Sequence, residues 1–460
     1  MERETTIAAI STAQAPAGIG IIRISGPQAR EAADRVFVSP HGRKIREASG
    51  YTMLYGHVYG GKGSGREKLD ETVALVYAAP ASFTGEDVVE LSCHGGLFVL
   101  RRVLAAVLEA GAVPAGPGEF TRRAFLNGKM DLTKAESVMQ IIGAKGEQAA
   151  RTALAGYDGA LFRRISKIRD SLLDTAAHLS AWADYPEDDI PEVSPESLLS
   201  VLSEAKEELS RLLDQFDAGR VLREGVDTVI VGRPNVGKST LMNLLAGCER
   251  SIVTSFPGTT RDVVEDTVVL GGIPLRLADT AGIRPTDDPV ESIGVNRAKK
   301  RIRSAELALA VFDLSRELNG EDEALIRELE GIPAVAVLNK SDLSEKLDVE
   351  YIRNKFKQIV YLSALTGEGL SQLEKAVSEL FYTSELNPSE GILFTERQRD
   401  AARRAVGELS AALSALRSGM TLDAVTVSIE AAVSALLELT GERATTAIVD
   451  SVFSHFCVGK

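Results

Sequence analysis

Apolar residues recur at two different periods along the chain, and the period changes near residue 120. Short apolar runs at 6–10, 20–24, 73–76 and 88–91 predict β-strands, while Leu97–Glu109 carries an apolar stripe at helical spacing. Residues 1–120 are therefore predicted to form a mixed α/β domain.

A helical period governs residues 121–219. Apolar side chains at positions 198, 202, 205, 209, 212 and 216 repeat at spacings of four and three, which predicts one continuous seam. A similar stripe at 406, 409, 413 and 416 returns later, followed by a long helix over 425–439. Gly419 and Gly441 stand where helix ends are expected.

Between these helical blocks, residues 220–381 alternate strand and helix patterns. We expect the blocks at 121–219 and 382–460 to pack as one bundle into which the middle domain is inserted; two separate helical domains are the alternative. The predicted fold class is α/β plus all-α.

Length and composition fit a soluble protein of several domains. The chain has 460 residues, 44% of them hydrophobic and 25% charged, without an apolar run long enough to span a membrane. Three scattered cysteines and a first segment without an export signal favour a reducing cytoplasm.

The net charge of −13 disfavours nonspecific binding to nucleic acid, although a local basic patch would suffice for an RNA. Arginine pairs at 122–123, 163–164 and 403–404 could supply one, but solvated helix faces are the favoured interpretation. For Glu90 and His94, which lie close in sequence, structural hydrogen bonding is favoured over catalysis.

The strongest chemical signal is the segment 232–239, GRPNVGKS, which follows the apolar run 226–231 and precedes a helical pattern at 240–246. This is the spacing of a phosphate-binding loop, in which glycines let backbone N–H groups surround a phosphate. Lys238 should reach the β- and γ-phosphates, and the Ser239 hydroxyl should bind Mg²⁺.

Three later segments favour GTP over ATP. Residues 279–282, DTAG, can meet Mg²⁺ and the γ-phosphate after a strand at 274–278. Residues 339–342, NKSD, follow the strand 333–338, and the Asp342 carboxylate can accept from both N1–H and the N2 amine of guanine. Residues 363–365, SAL, follow the strand 359–362 and can present a backbone N–H to guanine O6.

The resulting nucleotide contacts are predicted at Asn235, Val236, Gly237, Lys238, Ser239, Thr240, Thr254, Ser255, Phe256, Pro257, Gly258, Thr259, Thr260, Asp279, Thr280, Ala281, Gly282, Asn339, Lys340, Asp342, Ser363, Ala364 and Leu365. For the second Mg²⁺ ligand from the chain we favour Thr260 over Thr259. A hairpin about Gly271 and Gly272 follows this segment.

The residue after the DTAG segment is Ile283, where Ras-type GTPases carry a glutamine that orients the attacking water. An isoleucine side chain cannot bond water, so either hydrolysis is feeble or another group positions the water. The candidates in the acidic stretch that follows are Asp287, Asp288 and Glu291.

With the ends of the chain included, the sequence resembles the tRNA-modification GTPase family MnmE, also called TrmE, over essentially all of its length. The resemblance is carried by segments 6–10 (TIAAI), 20–26 (GIIRISG), 83–87 (FTGED), 117–120 (PGEF), 124–129 (AFLNGK) and 457–460 (CVGK). The family usually has isoleucine where Val458 stands.

The resemblance implies three domains. Residues 1–120 would bind a 5-formyl-tetrahydrofolate type of one-carbon donor and mediate a homodimer, 121–219 with 382–460 would be helical, and 220–381 would be an inserted Ras-like GTPase domain. By motif match, the folate contacts would be Arg23, Glu90, Lys129 and Lys460, with Cys457 as a possible functional thiol nearby.

The resemblance also implies how hydrolysis proceeds without the glutamine. A potassium ion held by Asn235, Thr254, Phe256 and Thr259 would replace an arginine finger, and Glu291 would orient the water indirectly.

The implied activity is GTP hydrolysis in tRNA modification. With an FAD-dependent partner of the MnmG family, the chain would install a C5 (carboxymethyl)aminomethyl group on the wobble uridine. The rivals are a ribosome-assembly or other RNA-binding GTPase without modification activity, and a folate enzyme whose GTPase domain is only regulatory.

Overall fold

The computed structural model describes residues 5–61, 65–184, 194–247, 266–277, 302–387 and 389–460. The chain divides into two compact units, one of residues 1–139 with 434–460 and the other of residues 140–433. Two helices, α4 (Leu132–Gly143) and α14 (Leu422–Thr440), contain the points at which the chain passes from one unit to the other.

The first unit is built on a seven-stranded sheet in the order β3-β4-β5-β6-β2-β1-β7. Its strands are β1 (Ile7–Ile10), β2 (Ile19–Ser25), β3 (Phe37–Val38), β4 (Thr52–Gly60), β5 (Glu67–Tyr77), β6 (Val88–His94) and β7 (Val113–Pro114). β2 pairs antiparallel with β6 so that Arg23 lies opposite Glu90.

Two helices, α1 (Ala29–Val36) and α2 (Leu97–Glu109), cover one face of this sheet. Ile22, Ile24 and Leu91 point into the core beneath them and are fully buried. Because successive side chains of a strand alternate between faces, Arg23 and Glu90 lie on the opposite face. A charged pair of side chains therefore lies on that face.

The end of the sequence packs beside α3 (Glu119–Leu126) within the same unit. α15 (Thr446–Ser454) contacts α3, and Pro117 forms an antiparallel bridge with Val458. Gly118, at φ 62°, allows this approach, since a Cβ there would lie 2.8 Å from both the Phe453 carbonyl oxygen and the Phe456 Cβ.

The second unit contains a set of helices and a six-stranded sheet. The helices of its first part are α5 (Glu147–Tyr157), α6 (Ala160–Asp184), α7 (Pro195–Asp214) and α8 (Phe216–Glu224). α13 (Glu396–Arg417) packs against α7 although the whole nucleotide-binding segment separates them in sequence. The middle domain is therefore inserted between helices that pack together.

The six-stranded sheet has the order β13-β12-β11-β8-β10-β9 and is parallel except for β9. Its strands are β8 (Val226–Val231), β9 (Asp266–Leu270), β10 (Ile273–Leu277), β11 (Leu307–Asp313), β12 (Ala334–Asn339) and β13 (Gln358–Leu362). The helices α9 (Lys238–Gly247), α10 (Gly320–Glu328), α11 (Val349–Arg353) and α12 (Leu370–Leu380) accompany it, with apolar cores on both faces. In such sheets ligands bind where the parallel strands end.

The structure corrects several sequence predictions. The strand expected at 73–76 runs over Glu67–Tyr77, the phosphate-loop helix begins at Lys238, and the predicted seam breaks between α7 and α8, although Phe216 remains buried. The elements β3, β4, β7, β11 and α1 were not predicted. Among the described helices none is long and apolar enough to cross a membrane.

The expectation of solvated arginine faces is wrong for two residues. Arg123 is 6% exposed and pairs with Glu86 and Glu119, while Arg164 is largely buried and pairs with Glu208. Each of these guanidinium groups ties elements together inside its own unit.

Candidate functional site: a phosphate loop and a partly buried arginine–glutamate pair

The phosphate loop leaves β8 and enters α9 as the sequence predicts. Gly232, Asn235 and Gly237 have φ of 155°, 66° and 100°, so the loop needs left-handed backbone at the last two positions. A side chain at Gly237 would collide with the Asn339 amide. These constraints explain why the glycine is needed there.

The side chain of Lys238 folds back over the phosphate loop. Its Nζ donates to the carbonyl oxygens of Gly232 at 2.7 Å and Arg233 at 2.8 Å, and burial lowers its pKa below the ordinary lysine value. Ser239 and Thr240 follow it on the exposed side of the helix start. An ammonium group this close to the exposed loop can serve phosphate oxygens.

The NKSD segment is joined to the phosphate loop by two side chains. The Asn339 amide donates to the Val236 carbonyl oxygen at 2.8 Å, and its oxygen accepts from the Ala364 N–H at 2.9 Å. Lys340 Nζ donates to the Asn235 carbonyl oxygen at 3.1 Å. Asn339 thus joins the phosphate loop, the NKSD segment and the SAL segment by hydrogen bonds.

The predicted guanine end of the site is open to solvent. Asp342 is exposed, and Leu365 is 81% exposed next to the buried Ala364 and Ser363. An exposed carboxylate beside exposed apolar side chains is suited to a flat base that carries N–H donors.

Sequence reasoning missed Asp313, which ends β11 and is 1% exposed. Its Oδ2 lies 2.5 Å from Lys340 Nζ, and its Oδ1 accepts from the Ser315 hydroxyl at 2.6 Å. These hydrogen bonds hold the pKa of Asp313 below the ordinary aspartate value, although its burial acts in the opposite direction. An aspartate closing an apolar strand, as in the DTAG segment, was the available signal.

Several predicted contacts lie outside the described residues. They are Thr254, Ser255, Phe256, Pro257, Gly258, Thr259, Thr260, Asp279, Thr280, Ala281, Gly282 and the water-orienting candidates Asp287, Asp288 and Glu291. Their roles remain predictions.

A second candidate site lies on the face of the first unit's sheet opposite α1 and α2. Arg23 Nε donates to Glu90 Oε1 at 2.8 Å, and both side chains are about 15% exposed. The guanidinium lies 5.5 Å from the Phe83 ring centre and 5.6 Å from that of Phe120. Glu90 makes a hydrogen bond, as the favoured interpretation required, and the two aromatic rings were not predicted from the sequence.

The last residues of the sequence join this site. Arg23 Nη1 donates to the Gly459 carbonyl oxygen at 3.4 Å, and the Phe120 N–H donates to a Lys460 main-chain oxygen at 3.1 Å. Burial lowers the pKa of Lys460, and the Arg23 charge adds to that effect, while Glu90 and Cys457 oppose it. Residues from both ends of the chain therefore share one electrostatic environment.

Lys129 reaches the same region from the end of α3. Its Nζ donates to the Pro80 carbonyl oxygen at 3.0 Å. The side-chain amide of Asn127, two residues earlier, donates to the Thr84 carbonyl oxygen at 2.8 Å. These two hydrogen bonds join the segment after α3 to the loop that carries Phe83. The four predicted folate contacts thus fall on segments linked to one another in this unit.

A network of hydrogen bonds joins the loop that carries Phe83 to α3. Arg123 donates to the Thr5 carbonyl oxygen at 2.8 Å and to Glu119 Oε1 at 2.8 Å. Ser25 donates to Glu86 Oε2 at 2.7 Å and bonds the Thr84 hydroxyl at 2.8 Å. Phe83 and Phe120 lie on the two segments that this network joins.

Comparison with known proteins assigns the chain to one family. A family model described as the GTP-binding protein TrmE N-terminus matches residues 6–129, and one described as the MnmE helical domain matches residues 132–457. The tRNA modification GTPase MnmE of Heliobacterium modesticaldum is 43% identical over 99% of both chains, and that of Symbiobacterium thermophilum is 45% identical over 99% of this chain and 100% of its own.

Among solved structures, Era of Aquifex aeolicus bound to GDP·AlF4⁻ is 27% identical, covers 40% of this chain and 66% of its own, and has a TM-score of 0.28. The G domain of the FeoB iron transporter of T. maritima is also 27% identical, covers 34% and 98%, and has a TM-score of 0.25. At these scores the family assignment rests on the sequence relatives.

Proposed function

This chain belongs to the MnmE family of tRNA modification GTPases, and from that premise we propose that it acts in the cytoplasm with an FAD-dependent partner of the MnmG type to install a C5 (carboxymethyl)aminomethyl group on the wobble uridine of tRNA. A tetrahydrofolate would donate the one-carbon unit. The observation that supports the proposal is the Arg23–Glu90 pair, whose guanidinium lies near two aromatic rings, in the same chain as a phosphate loop.

The pocket residues suit a reduced folate of the 5-formyl-tetrahydrofolate class. A pterin is flat and carries N–H donors, so Glu90 can accept from it while Phe83 and Phe120 offer apolar walls. The carboxylated tail of a folate favours cations, which Arg23, Lys129 and Lys460 supply. When bound, the folate would supply a one-carbon unit, and these residues would orient it.

Hydrolysis would use the phosphate loop with residues outside the described ranges. Lys238 and the Ser239 hydroxyl would bind phosphate and Mg²⁺, with Thr260 as the second protein ligand. Asn235, Thr254, Phe256 and Thr259 would hold potassium, and Glu291 would orient the water. A cation is needed because Ile283 cannot serve the water and the transferring phosphate group gathers negative charge.

Exposed apolar side chains support a homodimer through the N-terminal domain. Met53 and Tyr55 alternate with the buried Leu54 and so lie on the sheet face opposite α1 and α2; they are 66% and 50% exposed. Ile19, on the same face as Arg23, is 63% exposed. Burial of these side chains by a second copy would remove apolar area from water next to the proposed folate pocket.

Cys457 is half-buried and contributes to the charge environment of Lys460. We propose it as a functional thiol of the same pocket. Its replacement by serine is expected to reduce tRNA modification while leaving GTP hydrolysis unchanged.

Analysis of wobble nucleosides from cells that lack this protein tests the proposal. Mass spectrometry should show loss of the C5 (carboxymethyl)aminomethyl group, with recovery by the wild-type gene and not by Glu90→Gln. An unchanged wobble uridine with altered ribosomal RNA would instead favour the ribosome-assembly alternative.

A further inference from the structure

A buried ion pair joins the phosphate loop to a helix 89 residues further along the chain. Arg233 Nη1 lies 3.3 Å from Asp322 Oδ2, with the arginine side chain 10% exposed and the aspartate side chain 2% exposed. Asp322 is the third residue of α10, whose start is capped by Asn319. Neither residue belongs to the nucleotide contacts predicted above.

Helix capping alone does not explain this carboxylate. Asp322 Oδ2 accepts the Asn319 N–H at 3.2 Å, which an exposed acidic residue could do equally well. Removal of a carboxylate and a guanidinium from water is costly, and a buried ion pair is weak support for stability. A role in fixing the geometry of the loop explains the burial better.

The pair has a second, tighter arrangement within reach. Asp322 Oδ1 and Arg233 Nη2 are both buried, and neither has a hydrogen-bond partner. A small rotation of the guanidinium would bring these two atoms together as a two-bond fork, which is the strongest geometry for arginine and carboxylate. The pair can therefore form a second hydrogen bond by that rotation alone.

Arg233 is placed to transmit such a change. Its own carbonyl oxygen accepts from Lys238 Nζ at 2.8 Å, and it lies two residues before Asn235, which has φ 66°. The other end of the loop is held by the hydrogen bonds of Asn339 and Lys340. Arg233 thus holds the part of the loop that those two residues do not.

We propose that Asp322 is a positioning residue for GTP hydrolysis, which acts through Arg233 to set Lys238 and Asn235 against the phosphates. Negative charge grows on the phosphate oxygens during phosphoryl transfer, so a correctly oriented Lys238 stabilises the transition state more than the bound ground state. Loss of the Asp322–Arg233 pair therefore lowers kcat more than it weakens nucleotide binding.

The test uses the full-length protein with Asp322→Asn, Arg233→Gln and the double variant. Steady-state hydrolysis with GTP, Mg²⁺ and K⁺ gives kcat and KM, fluorescence titration with a labelled GDP gives Kd, and thermal unfolding gives Tm. Asp322→Asn should lower kcat at least about tenfold with Kd changed less than about threefold. The double variant should be no slower than the slower single variant, because both remove one interaction.

Two neighbouring variants separate positioning from helix stability. Asn319→Ala removes the cap of the same helix, and Glu323→Gln removes an exposed charge at the next position; both should retain kcat within about twofold. Asp322→Glu, which keeps the carboxylate, should recover part of the loss and serves as the test if Asp322→Asn does not fold. Multiplicative losses in the double variant, or a kcat loss in Asn319→Ala equal to that in Asp322→Asn, would overturn the proposal.

Discussion

The side-chain amide of Asn339 donates a hydrogen bond to the main-chain carbonyl oxygen of Val236 at 2.8 Å. The same side chain accepts from the Ala364 N–H, so one asparagine joins the phosphate loop, the end of β12 and the end of β13. Asn339→Ala would leave a buried carbonyl and a buried N–H without partners.

We expect Asn339→Ala to weaken GDP and GTP binding at least about tenfold, equivalent to about 1.4 kcal/mol. Fluorescence titration with labelled nucleotide measures this. The control is Asn354→Ala, an exposed asparagine at the end of α11, whose affinity should match the wild type. Equal affinities for the two variants would contradict the proposed link.

Base specificity is expected to depend on Asp342. A carboxylate accepts from both N1–H and the N2 amine of guanine, whereas an amide offers one donor and one acceptor. Asp342→Asn should lower GTP affinity strongly and raise the affinity for xanthosine triphosphate, whose C2 oxygen can accept from the amide. A competition titration of the variant with the two nucleotides measures this change in preference. An unchanged preference for GTP would show that Asp342 does not recognise the base.

Local patterns predicted much of the nucleotide site but little of what supports it. The loop at 232–239, the NKSD segment and the SAL segment each follow a strand directly, so their chemistry is readable in a few adjacent residues. The contacts of Arg233 with Asp322 and of Arg123 with Glu86 join distant segments. No periodicity within either segment indicates such partners.

Strands were missed where packing overrides local preference. β4 contains Gly56 and Gly60, which weaken a strand pattern, yet a Cβ at Gly56 would lie 2.5 Å from both the Phe37 ring and the Val38 carbonyl oxygen. The glycine is required by the close approach of β3. Similarly, the polar first half of β5 is a strand because it pairs with β4, a partner that sequence alone did not reveal.

The proposed folate pocket predicts a separable effect of Glu90. Glu90→Gln keeps the side-chain shape but removes the charge that pairs with Arg23 and faces the pterin donors. Calorimetric titration with 5-formyl-tetrahydrofolate should show at least about tenfold weaker binding, while GTP hydrolysis is unchanged. Glu71→Gln, an exposed carboxylate on β5, is the matched control and should bind the folate normally.

His94 should titrate above its ordinary range. Its Nδ1 lies 2.6 Å from Asp70 Oδ1, and this hydrogen bond, with the aspartate charge second, raises the pKa of His94 above 6.5. Nuclear magnetic resonance of labelled imidazoles should show this, with the signal assigned through His94→Gln. In Asp70→Asn the pKa should return towards the ordinary value.

The raised pKa of His94 makes the stability of the folded protein depend on pH. Because the folded protein holds the His94 proton more tightly than the unfolded chain does, the stabilisation is fully present below about pH 6.5 and is lost as pH rises through the folded value. The thermal midpoint of the wild type should therefore fall relative to that of His94→Gln as pH increases across this range. Parallel curves for the two proteins would argue against the Asp70 link.

Potassium dependence is expected because Ile283, and not a glutamine, directly follows the DTAG segment. Under the proposal, a potassium ion held partly by Asn235 supplies the positive charge that an arginine finger gives elsewhere. Sodium is smaller and should fit the same oxygens poorly, so its substitution should lower kcat at least about tenfold with nucleotide affinity nearly unchanged. Asn235→Ala should be slow in both salts, because the ion then lacks a ligand from the loop.

Glu291→Ala should be slow in both salts as well, yet retain wild-type affinity for GTP, since its role would be to orient the attacking water. Equal rates of the wild type in potassium and sodium would rule out the ion, and a Glu291→Ala variant that lost affinity but not rate would make that residue a binding group.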